Sequence, residues 1–435
     1  MGIEKVAFTT LGCKVNQYES EAMKSLFLEA DYEVTEFDKY ADVYVINTCT
    51  VTHLGNRKSR QMIRRAINNN PQAVVAVVGC YAQTAPGEVL EIPGVSLVIG
   101  TKDRNKIVEL VHQAKASGEQ INAVGNIMEA EEFEELTVVD KEQRTRAFLK
   151  IQEGCNNFCS YCIIPYARGP LRSRQPEKVL EEAENLVKSG FKELVITGIC
   201  TGTYGKDLGN ITLAGLVAQI GKIPGLERLR LGSLEPTDIT PELVEVIRET
   251  PTICNHLHIP LQSGSDRILA AMNRNYLTNE YYKLIAYLRY SIPDLAVTTD
   301  VIVGFPGEKE EDFLIGKNFI SRMEFANLHV FKYSPRAGTK AAEMSDQVDN
   351  AVKELRSKEL IELAQRLQQE FAESYLEEEV QVLAEVQSKE YPEFWEGLTS
   401  NYLRVLFKGE GIVQGNIYSI KLEDWVEGKL YGELI

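Results

Sequence analysis

At 435 residues the chain has room for two to four domains, and 44% hydrophobic with 25% charged residues is the balance of a globular protein, not a disordered or fibrous one. No apolar run reaches bilayer-spanning length, so no membrane association is expected. The opening MGIEKVAFTTLGC lacks the features of a secretory leader, and Val6 stands where N-myristoylation wants Ser or Thr, so a cytoplasmic location is expected. The net charge of −16 excludes a uniformly basic surface, so any nucleic-acid contact must come from local patches.

The first segment alternates apolar runs with helical patterns. Strands are expected at Lys5–Leu11, Val43–Asn47, Val74–Gly79 and Ser96–Gly100, with helices at Glu19–Ala30, Asn56–Asn68 and Lys106–Ala116. Such alternation predicts a parallel α/β sheet. Cysteines follow the first three strands at once: Cys13, Cys49 and Cys80. Ligands of open α/β sheets gather beyond the carboxyl ends of strands, so these three thiols are expected to converge there as a three-thiolate site. Of the eight cysteines, those in a cytosolic chain read as ligands or buried apolar residues before disulfides. Between Val51 and Asn70 the residues Arg57, Lys58, Arg60, Arg64 and Arg65 occur without an acid. Arg57, Arg60 and Arg64 have the spacing of one helix face, which fits a solvated face or a basic contact patch equally.

The acidic run with Glu129, Glu131, Glu132, Glu134 and Glu135 reads as a solvated linker. Six βα units follow. Their strands are expected at Ala147–Gln152, Glu193–Thr197, Glu227–Leu231, His256–Pro260, Ala296–Val303 and Asn327–Tyr333. Helices Glu177–Ser189, Pro241–Glu249, Glu280–Tyr290 and Glu310–Arg322 fall between them, which predicts a partial or full barrel of parallel strands with its chemistry at the strands' C-terminal ends. A long helix over about 349–376 leads into short strands such as Val380–Glu385 and Tyr402–Leu406, the texture of a small β-barrel.

The stretch GCNNFCSYC places Cys155, Cys159 and Cys162 on the loop leaving the first barrel strand. Structural zinc wants four protein ligands, and no second pair follows. A 4Fe–4S cube held by three thiolates leaves one iron open to a small molecule. A zinc protein remains an alternative on the residues alone. Arg168, Arg172 and Arg174, just beyond this loop, are candidates to hold a carboxylate or a phosphate. His256 and His258 face one side of their strand and read as barrel-interior lining; Cys254 is expected to be buried, and Cys200 to lie near a strand's C-terminal end.

The C-x3-C-x2-C spacing resembles the radical S-adenosylmethionine (radical SAM) enzymes. With NTCTVT, VVGCYAQ, GCNNFCSYCIIPYARGPLRSR, HIPLQSGSD and TTDVIVGFPGE, nearly the whole chain resembles the radical SAM methylthiotransferases. That resemblance implies an α/β protein of three parts. An N-terminal parallel α/β cluster domain would span 1–125, a radical SAM (β/α)6-type partial barrel 140–370, and a TRAM-like small β-barrel 371–435. It implies two 4Fe–4S clusters as metal sites, one on Cys13, Cys49 and Cys80 and one on Cys155, Cys159 and Cys162. It implies S-adenosyl-L-methionine as cofactor, with Tyr161, Thr197, Gly198, Ser233, Glu235, Gln262, Asp300 and Val303 as its neighbours. The second cluster would generate a 5′-deoxyadenosyl radical, and the first would hold the sulfur or methylthio group.

Within that family, Lys14-Val15-Asn16 after Cys13 resembles the branch acting on N6-threonylcarbamoyladenosine at position 37 of tRNA. The implied partners are the tRNA anticodon stem-loop, an external one-electron donor and a sulfur source, with Arg57, Arg60, Arg64, Arg168, Arg172 and Arg174 as RNA-contact candidates. The acidic C-terminal domain would need a local surface such as Tyr402, Arg404 and Lys408 to contact RNA. Alternatives are the branches acting on N6-isopentenyladenosine-37 or on a ribosomal-protein aspartate, and an RNA-binding protein with structural clusters.

Overall fold

The computed structural model describes residues 3–136, 145–426 and 428–435. The described chain forms two compact units. The first comprises Met1–Glu142, Gln152–Arg174 and Ser334–Ala342; the second comprises Gln143–Ile151, Gln175–Tyr333 and Glu343–Ile435. Residue 140, the expected start of the central segment, lies outside the described residues.

The first unit is built on a parallel six-stranded sheet in the order Glu33–Thr35, Lys5–Thr10, Val43–Thr48, Val74–Gly79, Leu97–Val98, Ile121–Asn122. Val43–Thr48 and Val74–Gly79 are buried at every position, which is why they read as unbroken apolar runs. The two outermost strands, three and two residues long, are too short to leave a periodic signal. Two helices begin earlier than their periodicity predicts. Lys14–Glu29 starts directly after the extended Cys13, and His53–Asn69 is capped by Thr52, whose Oγ1 accepts from Gly55 N at 3.0 Å.

The second unit carries six parallel strands: Arg146–Lys150, Glu193–Thr197, Arg228–Arg230, His256–His258, Ala296–Val303 and Asn327–Lys332. Isolated bridges Leu229–Ile253 and Ser233–His258 join the two halves, and among the described residues no ladder closes the first strand onto the last. The expected partial barrel is therefore present. The first strand ends at Lys150; Gln152–Glu153 pairs separately with Arg172–Ser173 in the first unit. The helix Asn350–Glu373 leads to a closed five-stranded barrel of Glu379–Gln387, Trp395–Thr399, Arg404–Lys408, Lys429–Leu434 and Ile417–Val426.

A buried ion cluster fastens this small barrel to the central strands. Glu193 is fully buried and meets Arg230 Nε at 2.8 Å, Arg228 at 3.6 Å and Arg146 at 3.8 Å. The two strand arginines then donate across to backbone carbonyls: Arg228 to Leu398 and Gln381, Arg230 to Ser400 and Thr399. Tyr402 lies in this joint, under Arg230 and stacked on His256 with centroids 4.6 Å apart. Its ring is thereby held by packing in this joint while the residue stays half-buried. Burial pushes the Glu193 carboxyl up, but the guanidiniums of Arg230, Arg146 and Arg228 outweigh that and hold it below its usual range. A carboxylate with a depressed folded-state pKa stabilises fully above its unfolded value and ceases to do so as pH falls through the depressed one.

Two outcomes follow for denaturant unfolding followed by far-ultraviolet circular dichroism. Arg230→Met should destabilise the unit by about 3 kcal/mol at pH 7, because it strips Glu193 of its closest partner. Glu193→Gln should flatten the loss of stability that the parent chain shows below roughly pH 4.

Candidate active site: two groups of three cysteines

Cys13, Cys49 and Cys80 leave the carboxyl ends of three strands that are neighbours in the sheet, as the sequence predicts. Gly12, at φ +104°, makes the turn into Cys13; a Cβ there would stand 3.1 Å from Cys49 Sγ, so only glycine lets the two cysteine loops approach. Cys13 is exposed, Cys49 half-buried and Cys80 buried. Burial pushes the Cys80 thiol up to about 12, against the pull of the Arg168 guanidinium, and Cys13 and Cys49 add to the rise. Burial also raises Cys49, opposed by a hydrogen bond from the Val51 backbone.

Cys155, Cys159 and Cys162 occupy one loop in the same unit, all half-buried. Cys155 N donates to Gly169 O at 3.1 Å, Cys162 N to Cys159 O at 2.9 Å, and Leu171 N to Asn156 Oδ1 at 3.1 Å. Gly154, at φ +76°, is irreplaceable here, since a Cβ would fall 1.7 Å from Pro170 O. Tyr161 is half-buried within the loop.

Beneath both groups runs a polar network that sequence reasoning missed. Arg168, fully buried, donates from Nε to Cys80 Sγ at 3.2 Å, from Nη1 to Glu19 and to Glu153 Oε1 at 2.8 Å, and from Nη2 to Asn16 and Glu19. Arg104, equally buried, reaches Glu134 at 2.8 Å and Glu153 at 3.2 Å, and its Nη1 lies against Glu19 as an ion pair without hydrogen-bond geometry. The carboxylates and the Cys80 thiol outweigh burial and hold the Arg168 charge more firmly than usual. Arg172 is bonded to Pro170 O and Arg168 O, and Arg174 pairs with Glu135 at 2.7 Å. Expectation is corrected twice. Arg168, Arg172 and Arg174 are 0%, 3% and 4% exposed and face protein groups, so they are not RNA contacts. Glu134 is drawn out of solvent onto Arg104, whereas Glu135 pairs with Arg174 and stays exposed as the rest of the acidic run was expected to be. The only sequence signal was position: Glu153 adjoins the cysteine loop, and Asn16 and Glu19 lie one helical turn apart beyond Cys13.

On the helix His53–Asn69, Arg57, Lys58 and Arg64 are exposed and unpaired among the described residues, whereas Arg60 donates to Tyr81 OH at 3.1 Å and Arg65 pairs with Asp38.

In the second unit the remaining candidates stand at strand ends. Thr197 closes its strand and Val303 closes another, with Gly198 next to the former. Ser233 bridges to His258 and its carbonyl accepts from Thr201 Oγ1 at 2.7 Å. Glu235 is paired with Arg274, and burial raises its carboxyl against that pairing. Gln262, at φ +66°, donates from N to Asp300 O at 2.8 Å. Asp300 Oδ2 stands 3.2 Å from His258 Nε2, and both histidines meet Thr298 Oγ1 at 2.9 Å, which makes them the polar barrel lining expected. Cys200 and Cys254 are both buried.

The sequence profile of the Radical SAM superfamily matches residues 149–315, and that of the Uncharacterized protein family UPF0004 matches residues 5–100. The chain is 50% identical over 420 residues to the threonylcarbamoyladenosine tRNA methylthiotransferase MtaB of Bacillus subtilis, covering 96% of this chain and 93% of the relative. The chain belongs to the radical SAM methylthiotransferase family. A second relative, the tRNA-2-methylthio-N(6)-dimethylallyladenosine synthase of Acetivibrio thermocellus, is 35% identical over 442 residues, covering 98% and 90%. The solved structure of the radical S-adenosylmethionine methyltransferase TsrM from Kitasatospora setae shares the fold, with a TM-score of 0.58 at 15% identity over 78% of this chain and 77% of that one.

As a methylthiotransferase the protein is a transferase using S-adenosylmethionine and two 4Fe–4S clusters. The residues present fit that chemistry. A guanidinium already aimed at the Cys80 sulfur suits a thiolate.

In the metal-free protein, iodoacetamide at pH 8 followed by peptide mass spectrometry should label Cys13 fastest and Cys80 slowest of the three sheet-edge cysteines, by at least tenfold in rate, since the thiolate is the nucleophile and Cys80 is both buried and raised. Gly154→Ala should cut the iron taken up on anaerobic reconstitution by about half, the share of one cluster, because it displaces the cysteine loop while leaving the sheet-edge cysteines in place.

Proposed function

We propose that the protein transfers a methylthio group to C2 of N6-threonylcarbamoyladenosine at position 37 of tRNA. The observation that carries this reading is the 50% identity to a threonylcarbamoyladenosine tRNA methylthiotransferase along almost the whole chain, against 35% to the dimethylallyladenosine synthase. Lys14-Val15-Asn16 after Cys13 supports the same branch.

In this reading Cys13, Cys49 and Cys80 hold one cluster and Cys155, Cys159 and Cys162 the other, each with one iron left for a non-protein ligand. When bound, the second cluster with S-adenosylmethionine supplies hydrogen-atom abstraction at an unactivated C–H. The chain's own residues then bind and orient. Thr197, Gly198, Ser233, Glu235, Gln262, Asp300 and Val303 serve as S-adenosylmethionine contacts, and Tyr161 belongs to the cluster loop. Arg57 and Arg64, with Arg60 held by Tyr81, offer phosphate contacts on an otherwise acidic protein. The segments 1–125, 140–370 and 371–435 are the proposed functional domains. A cytoplasmic location, an external one-electron donor and a sulfur source complete the proposal; among the described residues no helix is long and apolar enough to cross a membrane.

The test is nucleoside mass spectrometry on tRNA from cells lacking the protein, complemented by the parent chain or by Cys155→Ala. Methylthio-threonylcarbamoyladenosine should return only with the parent. An unchanged level of that nucleoside, with loss of the isopentenyl counterpart, would reassign the substrate. Arg57→Glu with Arg64→Glu should weaken tRNA binding roughly tenfold at unchanged iron content, and the effect should shrink as salt rises.

A further inference from the structure

The loop Ser334–Ala342 belongs to the first unit and meets the segment that follows Cys49 at Val51 and His53. It is pinned at three points: Ser334 Oγ accepts from His53 N at 3.2 Å, Arg336 Nε donates to Val51 O at 3.2 Å, and Ala341 N donates to Ser160 O at 2.8 Å. The Arg336 side chain that this holds in place is 5% exposed. Its Nη2 is buried and has no hydrogen-bond partner. The contrast with the other buried arginines of the unit is sharp. Arg104 and Arg168 are surrounded by Glu19, Glu134 and Glu153, while Arg336 forms no ion pair with any described carboxylate. Burial lowers its pKa, and the one ionisable group that opposes this is Cys49.

A guanidinium out of water with an unfilled donor is costly unless an anion joins it. Among the described residues none supplies that anion, and Cys49, two residues before the Val51 carbonyl that Arg336 holds, stands in the group proposed to leave one iron open. We infer that Arg336 is a positioning residue for a small anionic sulfur ligand, of the hydrosulfide or alkanethiolate class, bound beside Cys49. The inference rests on Cys13, Cys49 and Cys80 holding a cluster. Arginine suits the task because its charge does not titrate and its planar fork offers a second donor while Nε keeps the Val51 carbonyl.

The experiment uses the full chain with Cys155, Cys159 and Cys162 all replaced by Ala, reconstituted with iron and sulfide. Sodium methanethiolate and the neutral iron ligand tert-butyl isocyanide are titrated separately, with binding read from the electron paramagnetic resonance of the reduced cluster. Arg336→Gln should weaken methanethiolate at least tenfold and leave the isocyanide within twofold, and Arg336→Lys, which keeps the charge without the fork, should restore part of the loss. Equal affinity for methanethiolate in parent and Arg336→Gln, or equal weakening of both ligands, overturns the inference and leaves the cluster reading standing. Failure of the triple-alanine chain to load any iron instead removes the cluster reading, and this inference with it. If Arg336→Gln does not load its cluster, the chain with unaltered Arg336 labelled with 15N-arginine decides: a nitrogen coupling that appears only with methanethiolate supports the assignment, and no new coupling contradicts it.

Discussion

The Arg168 guanidinium is the hinge of the first unit. One planar group, wholly out of water, joins the thiol of Cys80 at a strand end, the helix that follows Cys13 through Asn16 and Glu19, and Glu153 beside the Gly154–Cys162 loop. Arg104 closes the set from a third element by pairing with the same two glutamates. With Arg172 against Glu153 and Glu134 against Arg104, three cations and three carboxylates balance, which is the condition under which such charges are tolerated at all. Deleting any one member would leave a partner uncompensated, so the network specifies a single arrangement of both cysteine groups. Hydrophobic packing alone could not do this, because it is indifferent to small rotations of one loop against another.

The same solution recurs in the second unit. Glu193 gathers Arg146, Arg228 and Arg230; Arg228 and Arg230 spend their remaining donors on carbonyls of the C-terminal barrel, and Arg146 turns to the Glu385 carboxylate. In both places arginine is chosen for its fork of fixed donors, which binds a carboxylate and a second acceptor together. The net charge of −16 coexists with these buried cations because the surplus acid is at the surface, which leaves the short run of Arg57, Lys58 and Arg64 as a local exception.

What the chain reveals before folding depends on the range of the interaction. Strands such as Glu193–Thr197 and Ala296–Val303 appear at their predicted bounds, because continuous apolar runs between turn residues are local signals. The convergence of Cys13, Cys49 and Cys80 follows from strand alternation plus the rule for parallel sheets. The arginines after the cysteine loop were misread, since the acids that claim them lie far off in sequence: Glu19 is 149 residues from Arg168 and Glu135 is 39 from Arg174. An acidic run is normally solvated, and only the fold turns Glu134 toward Arg104. Arg336 left no local signal, because its significance is the partner it lacks.

Two separate clusters in one compact unit would load iron independently, and iron stoichiometry tests that directly. Three chains would be reconstituted anaerobically and assayed for iron and acid-labile sulfide: the parent, the Cys13, Cys49, Cys80 triple-alanine variant, and the Cys155, Cys159, Cys162 triple-alanine variant. Equal iron is expected in the two variants, summing to the parent's content. Loss of all iron in either variant would contradict it, because a single centre would then be drawing ligands from both groups.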